Sequence, residues 1–199
     1  MCTSWPAGSA DQTPLDPDEA AALIPSWVST RGDLDRAEQE NILRAGAWTR
    51  GRRFRPAALL AESFIRQLHR RMFGEVWKWA GSYRTSNKNI GVDYWRIVEE
   101  IGQLLGNALY WVENAVYERD ELAVRFHHRI VSIHPFPNGN GRLSRTAADL
   151  LVEALGGERF SWGTALAAED AAAARRTYIE ALQAADGGDI APLLAFARS

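Results

Sequence analysis

One helical segment that is apolar on two faces most restricts what this chain can fold into. Between Arg119 and Ile133, apolar side chains recur at helical spacing on more than one side. One face carries Ala123, Phe126, Ile130 and Ile133, and another carries Val124, His128 and Val131. A helix that is apolar around much of its circumference must be covered on several sides. We therefore predict that this helix lies at the centre of the fold.

Helical periodicity elsewhere predicts an all-α domain of about eight helices with one short β-hairpin flap. The other helices are expected at 18–24, 35–48, 57–72, 96–115, 142–155, 168–186 and 190–198. An Asp35-x-x-Glu38 capping box marks the start of the second of these, and Pro56 suits the first turn of the next. From Gly81 to Tyr94 the helical period fails, so we interpret this stretch as a short hairpin or a turn-rich flap.

Length and composition fit one globular domain. The chain has 199 residues, a formal net charge of -2 and a single cysteine, Cys2. Residues 1–17 are predicted to form an irregular arm and residues 18–199 a single domain, with N-terminal helices at 18–50 and a core at 56–199. No apolar run approaches the roughly 20 residues that span a bilayer, and one cysteine excludes an internal disulfide framework. We expect a soluble cytoplasmic protein without a membrane partner.

Positive charge is concentrated in one short segment. Five arginines lie between Arg44 and Arg55 with few acidic residues near them. Because a charge run is usually a solvated face and the net charge is close to zero, we interpret this segment as a connector and expect no direct binding of nucleic acid.

The stretch His134–Arg145 has the composition of an anion site beside a base. Gly139, Asn140 and Gly141 permit a backbone in which consecutive N–H groups converge on one anion at the start of the following helix. Arg142 and Arg145 follow in the first turn, where the helix dipole disfavours cations unless an anion is bound among them. This pattern is typical of chemistry on a phosphate.

The same stretch resembles the signature of the Fic family, His-x-Phe-x-(Asp or Glu)-Gly-Asn-Gly-Arg-x-x-Arg. The segment matches every specified place except Asn138. The resemblance extends back to Trp79–Arg84, which is similar to the segment that opens the family's flap, and roughly covers residues 35–196. It implies an all-α Fic-type domain.

Four segments together look like one branch of that family, called mobile mystery protein B. They are Ala37-Glu38-Gln39, Trp77–Gly81, Asn89–Val92 and His134–Arg142. Members of this bacterial branch tend to be encoded beside a helix-turn-helix protein, so the resemblance implies a partner of that kind and a toxin–antitoxin or regulatory context.

The resemblance implies an enzyme that moves AMP from ATP to a Ser, Thr or Tyr hydroxyl of a target protein. His134 would be the general base that takes the proton of the incoming hydroxyl. Asn140 and the amides of Gly139 and Gly141 would hold the α-phosphate. Arg142 would bind the β-phosphate and Arg145 the γ-phosphate.

The resemblance also implies a flap that pairs with a target segment by β-strand addition. Its candidate docking residues are Arg84, Thr85, Asn87, Lys88, Asn89 and Ile90. Main-chain pairing would place the target hydroxyl in line with the α-phosphate.

Asn138 departs from the family pattern, which has a carboxylate that binds Mg²⁺ at this place. An amide oxygen can coordinate Mg²⁺ but contributes no charge. Three interpretations therefore stay open: an ATP- and Mg²⁺-dependent transferase, an enzyme that transfers a different phosphate-containing group, and a nucleotide-binding interaction module with weak or lost activity.

A glutamate in the helix predicted at 35–48 is a candidate inhibitor. The family's inhibitory pattern, (Ser or Thr)-x-x-x-Glu-(Gly or Asn), is matched at its end by Glu40-Asn41, whereas Arg36 occupies the Ser/Thr place. Helical geometry favours Glu38, because it projects from the apolar face while Glu40 projects nearly opposite. The hypothesis is a Glu38–Arg145 pair that holds the resting enzyme inactive.

Overall fold

The computed structural model describes residues 21–199 and is almost entirely helical. Nine α-helices lie wholly within the described residues. They are α1 (Arg31–Thr49), α2 (Pro56–Leu59), α3 (Glu62–Phe73), α4 (Ile97–Glu113), α5 (Arg119–Ile133), α6 (Asn140–Ala154), α7 (Thr164–Glu169), α8 (Ala171–Asp186) and α9 (Ala191–Arg198). The predicted all-α class is confirmed. None of the helices in this part of the chain is long and apolar enough to cross a membrane.

Two helix starts differ from the sequence-based expectation. The capping box of α1 is formed by Thr30 and Asp33, five residues before the predicted one, because the Thr30 side chain accepts from the Asp33 amide and the Asp33 carboxylate accepts from the Thr30 amide. The helix predicted at 57–72 is divided into α2 and α3 after Leu60. A separate short helix, α7, precedes α8, whose first turn is capped by Asp170.

Two predictions fall wholly or partly outside the described residues. The irregular arm at 1–17 lies outside them, and so does most of the helix predicted at 18–24. Ala21 and Ala22 are helical, and Leu23 forms an isolated bridge with Trp77.

The described part of the chain divides into two compact units. The first contains residues 21–52 and Arg66–Ser82, and the second contains Arg53–Ile65 and Tyr83–Ser199. In the first unit, the buried Asn41 side chain donates to the Arg71 carbonyl and accepts from the Glu75 amide, both at 2.9 Å.

The second unit is built around α5, as its two apolar faces predict. This helix packs against α4, α6 and α9. Ala123 and Val124 are fully buried, and both belong to a core cluster with Ala148 and Val152 of α6 and Leu193 of α9. Because α5 is held on several sides, the residue that follows its last turn has a well-defined position.

The flap takes the turn-rich form rather than the β-hairpin. Residues 81–93 contain no strand, and a 3-10 turn at Tyr94–Arg96 leads into α4. The Arg84 amide donates to the Pro135 carbonyl at 2.9 Å and the Val92 amide to the Ile133 carbonyl at 3.3 Å. Because these amides bond to the segment around His134, they do not form a ladder within the flap.

Candidate active site

His134 lies directly after the last turn of α5 in a left-handed conformation. Its φ and ψ are 53° and 59°, and its amide donates to the Ile130 carbonyl at 3.0 Å. Left-handed backbone is uncommon for a residue other than glycine. The conformation ends the helix and turns the chain into the signature loop.

The surroundings of the His134 imidazole favour its neutral form. Burial lowers the pKa of His134, and the positive charges of Arg84 and Lys88 lower it further, while the nearby Val131 carbonyl opposes them. The Nδ1 atom is buried and makes no hydrogen bond of ordinary geometry within the described residues. A neutral imidazole can accept a proton, which is what a general base requires.

The signature loop is closed by the Asn140 side chain. Its Oδ1 accepts from the Phe136 amide at 2.9 Å and its Nδ2 donates to the Phe136 carbonyl at 2.8 Å. Phe136 is fully buried and packs on Tyr83, with ring centroids 5.3 Å apart. The Asn140 side chain therefore shapes the loop.

The amino end of α6 follows this loop. Gly139 is its N-cap, with φ of 77°, and as a glycine it has no side chain that could cap the first turn. The Gly139 amide donates to Oδ1 of Asn138 at 2.7 Å. An uncapped helix start is an anion-binding element.

The two signature arginines are half-buried on α6. Asp149 lies four residues after Arg145. Its carboxylate accepts from Nε1 of Trp162 at 2.9 Å and from the Phe160 amide at 3.3 Å. No carboxylate described in the second unit forms an ion pair with Arg145.

Arg84 differs from the other predicted docking residues because it is buried. It is 3% exposed, and its guanidinium donates to the carbonyls of His134 at 2.7 Å, Ser86 at 2.9 Å and Val92. A longer contact of 3.5 Å reaches the Ile133 carbonyl. Burial lowers the pKa of Arg84, and the Asp93 carboxylate opposes that shift. Arg84 thus holds the flap to the end of α5 and is not presented to a target.

The remaining five predicted docking residues are exposed: Thr85, Asn87, Lys88, Asn89 and Ile90. Asn87 also closes the base of the flap, since its side chain donates to Asp93 at 3.0 Å and accepts from the Tyr94 amide at 2.9 Å.

Gly91 lets the flap approach the base closely. Its φ is +100°, and a Cβ atom there would lie 2.6 Å from the His134 Cβ and 2.9 Å from a guanidinium nitrogen of Arg84. Only glycine fits both this conformation and this space.

The predicted metal position, Asn138, carries a neutral side chain. Asn138 is exposed, and its Oδ1 is the acceptor of the Gly139 amide. No cluster of three or more His, Cys, Asp or Glu side chains suited to a metal occurs in residues 21–199. A single neutral oxygen with an amide partner is a poor match to the anionic oxygen ligands that Mg²⁺ prefers.

The two candidate inhibitory glutamates differ in burial within the first unit. Glu38 is 3% exposed, and its Oε1 accepts from Nε1 of Trp77 at 2.6 Å. Glu40 is exposed. These positions agree with the helical geometry that favoured Glu38.

Two residues of the second unit lie at the site but were not among the site residues predicted from the sequence. Tyr178 of α8 contacts Arg145, and its hydroxyl bonds to His127 of α5. His127 is fully buried on α5, outside the signature. Tyr178 carried no sequence signal, because it lies 33 positions after Arg145 and outside every motif.

A neutral imidazole beside a helix start that carries two arginines is an arrangement that can bind a phosphorylated ligand next to a general base. Residues 59–152 match the sequence model of the Fic/DOC family. The chain is similar to that family over this segment.

Solved structures share the fold. BepC from Bartonella tribocorum, a VirB-translocated effector solved with bound AMPPNP, is 17% identical with a TM-score of 0.67, and the match covers 96% of this chain and 97% of that one. The N-terminal Fic domain of a Bep effector from Bartonella quintana, with bound ADP, is 20% identical with a TM-score of 0.64 and coverage of 87% and 86%. Fic-1 from C. elegans is 21% identical with a TM-score of 0.62, and the match covers 88% of this chain but 50% of that one.

Proposed function

We propose that this protein transfers AMP from ATP to a hydroxyl group of a target protein. One observation carries the proposal: His134, at the end of α5, shares a short loop with the start of α6, whose N-cap is a glycine. The Fic/DOC match of residues 59–152 and the nucleotides bound in two similar structures support a nucleotide as the phosphorylated ligand.

In the proposed reaction, the target hydroxyl oxygen attacks the α-phosphorus of ATP. A bond forms between that oxygen and phosphorus, the bond from the α-phosphorus to the bridging oxygen of the β-phosphate breaks, and pyrophosphate leaves. His134 takes the hydroxyl proton, which its neutral form allows.

Negative charge that develops on the α-phosphate would be stabilised by the amino end of α6. The Gly141 amide and the helix dipole supply partial positive charge there. Asn140 would contribute its backbone amide, since its side chain closes the loop on Phe136. Arg142 and Arg145 would bind the β- and γ-phosphates.

The flap would present the target. Residues Thr85 to Ile90 are exposed, and strand addition would use their main-chain groups. Lys88 lies near enough to lower the pKa of His134. Main-chain recognition would leave the identity of the target to other contacts.

Regulation forms a separate part of the proposal. Glu38 would pair with Arg145 in the resting protein and so prevent binding of the γ-phosphate, with Glu40 as the alternative inhibitory residue. The buried position of Glu38 supports this choice. A helix-turn-helix partner in a bacterial toxin–antitoxin pair, and a cytoplasmic location, remain proposals from the resemblance.

A second candidate is a nucleotide-binding module with weak or lost transferase activity. The specific observation in its favour is Asn138, whose neutral side chain accepts from the Gly139 amide. Mg²⁺ would then depend on the phosphates of the nucleotide for charge. Transfer of another phosphate-containing group is the third possibility.

One labelling experiment separates these functions. Wild type, Glu38→Gly and His134→Ala are incubated with ATP labelled at the α- or the γ-phosphate, alone and with lysate. AMP transfer predicts α-label on protein that disappears with His134→Ala. Covalent γ-label would instead indicate phosphoryl transfer, and ATP binding without any label would favour the module.

A further inference from the structure

The guanidinium of Arg145 contacts one aromatic ring. Its Cζ lies 5.6 Å from the centroid of Tyr178, within the range of a cation–π interaction. Tyr178 is on α8, and it packs against the core cluster of the second unit. Arg145 thus has an aromatic neighbour from a helix outside the signature.

The Tyr178 ring is itself held at its far end. Its hydroxyl lies 3.2 Å from Nε2 of His127, which is fully buried in α5. The His127 ring in turn packs on Trp162, with centroids 4.6 Å apart, and Trp162 donates to Asp149. Contacts with a buried histidine and with the helix core restrict the ring to one orientation.

Burial keeps both neighbours of Arg145 uncharged. It raises the pKa of Tyr178 to about 12 and lowers the pKa of His127 to about 3, so both are neutral near pH 7. The charge of Arg145 opposes the first shift and adds to the second. Because neither neighbour is an anion, the guanidinium keeps its full attraction for a phosphate.

Tyr178 also lies beside the amino end of α6. A Cβ atom built on Gly141 would be 4.0 Å from the Tyr178 hydroxyl, which is ordinary van der Waals contact. The ring therefore contacts the second signature arginine while its hydroxyl lies near the first turn, where the anion is expected.

We propose that Tyr178, anchored by His127, positions Arg145 for the terminal phosphate and so makes the site prefer ATP over AMP. The inference rests on the proposed nucleotide binding at α6. Tyr178 is a positioning residue here, because it acts through Arg145.

A double-mutant cycle with two nucleotides tests this role. Dissociation constants for ATP and AMP are measured by calorimetry for wild type, Tyr178→Met, Arg145→Ala and the double variant. Methionine keeps apolar bulk but lacks an aromatic face, so we expect ATP affinity to fall about three- to tenfold with AMP affinity unchanged. In the Arg145→Ala background the same change should have no further effect.

Two matched variants complete the design. Tyr178→Phe retains the ring but removes the hydroxyl that bonds to His127, so its ATP affinity should lie between those of wild type and Tyr178→Met. Tyr110→Met, at an exposed tyrosine of α4, should alter neither affinity. Thermal melting establishes folding, and Tyr178→Leu replaces the methionine variant if that variant does not fold.

The outcomes distinguish this inference from the proposed function. Equal losses of ATP and AMP affinity, or a loss that persists in full without Arg145, would overturn the role of Tyr178. Absence of ATP binding in both wild type and Glu38→Gly would overturn the proposed function together with this inference. ATP binding that depends on Arg145 but not on Tyr178 would overturn this inference alone.

Discussion

Nε of Arg84 donates a 2.7 Å hydrogen bond to the carbonyl oxygen of His134. The same guanidinium also bonds to Ser86 and Val92, which lie on either side of the flap tip. Since carbonyl groups at the end of a helix lack intrahelical partners, a buried guanidinium there both satisfies them and complements the helix dipole. One side chain thus connects the segment proposed to present the target with the residue proposed to activate its hydroxyl.

Replacement of Arg84 by lysine should impair transfer although the charge is retained. An ammonium on a flexible stem cannot reproduce the planar fork that reaches the His134 and Val92 carbonyls together. We expect transfer to fall at least about tenfold and the free energy of unfolding to fall by about 1–3 kcal/mol. Labelled-ATP assays and denaturant unfolding measure the two effects. Arg176→Lys, at an exposed arginine of α8, is the control, and an Arg84→Lys enzyme with wild-type transfer would contradict the clamp.

The pH dependence of transfer should reflect the burial of His134. Because burial lowers the pKa of His134, the imidazole stays neutral at pH values where an exposed histidine, with a pKa of about 6.5, is already half protonated. The rate should therefore decline only below about pH 6.5, as the base becomes protonated. Initial rates from about pH 5 to about pH 8 at saturating ATP test this expectation. A transfer rate that falls to half its maximum above about pH 6.5 would contradict the lowered pKa of His134.

Restoring a carboxylate at Asn138 should strengthen the requirement for Mg²⁺. Aspartate supplies an anionic oxygen and can still accept from the Gly139 amide, so the loop should keep its shape. We expect Asn138→Asp to reach half-maximal transfer at a Mg²⁺ concentration at least about tenfold lower than wild type. Titration of Mg²⁺ at fixed ATP measures the change. An unaltered titration would show that position 138 does not contribute to metal use.

Removing the charge of Glu38 should raise activity if this residue is inhibitory. Glutamine preserves an oxygen that can accept from Nε1 of Trp77, so Glu38→Gln isolates the charge from the packing. We expect Glu38→Gln and Glu38→Gly to increase both ATP binding and transfer, whereas Glu40→Gln should change neither. Calorimetry and the label assay report the two quantities. Glu38 variants with no more ATP binding or transfer than wild type would remove it as the inhibitor.

Asp149 should make the stability of the second unit depend on pH. Burial raises the pKa of Asp149 from its ordinary value of 3.8 to about 6, despite hydrogen bonds from Trp162 and Phe160. The folded state therefore favours the protonated carboxyl, and that stability is present below about pH 4 and lost as pH rises through about 6.

An asparagine at this position would keep an acceptor for Trp162 and remove the titration. Asp149→Asn should therefore gain on the order of 2–3 kcal/mol in free energy of unfolding relative to wild type between about pH 4 and about pH 7. Denaturant unfolding at both pH values measures the gain. A difference between variant and wild type that is the same at both pH values would refute the raised pKa of Asp149.

Helical periodicity was sufficient to predict the all-α class and the central helix. The bounds predicted for α5, Arg119 to Ile133, agree with the structure because both apolar faces are encoded locally in that segment. The start of α1 was predicted too late in the chain. Asp35 and Glu38 have the spacing of a capping box, but Thr30 and Asp33 form the capping box that is present.

The order and spacing of His134, the glycines and the two arginines could be predicted to form one site, because all of them lie in one short segment. What those residues contact depends on the packing of distant parts of the chain. Arg84 meets His134 from 50 positions away, and Tyr178 meets His127 from 51 positions away. Such bonds depend on which buried groups the packed helices bring together, and no local spacing encodes that choice. For the same reason, the stretch predicted as a hairpin or a turn-rich flap contains no strand, and its amides bond to the segment at the end of α5.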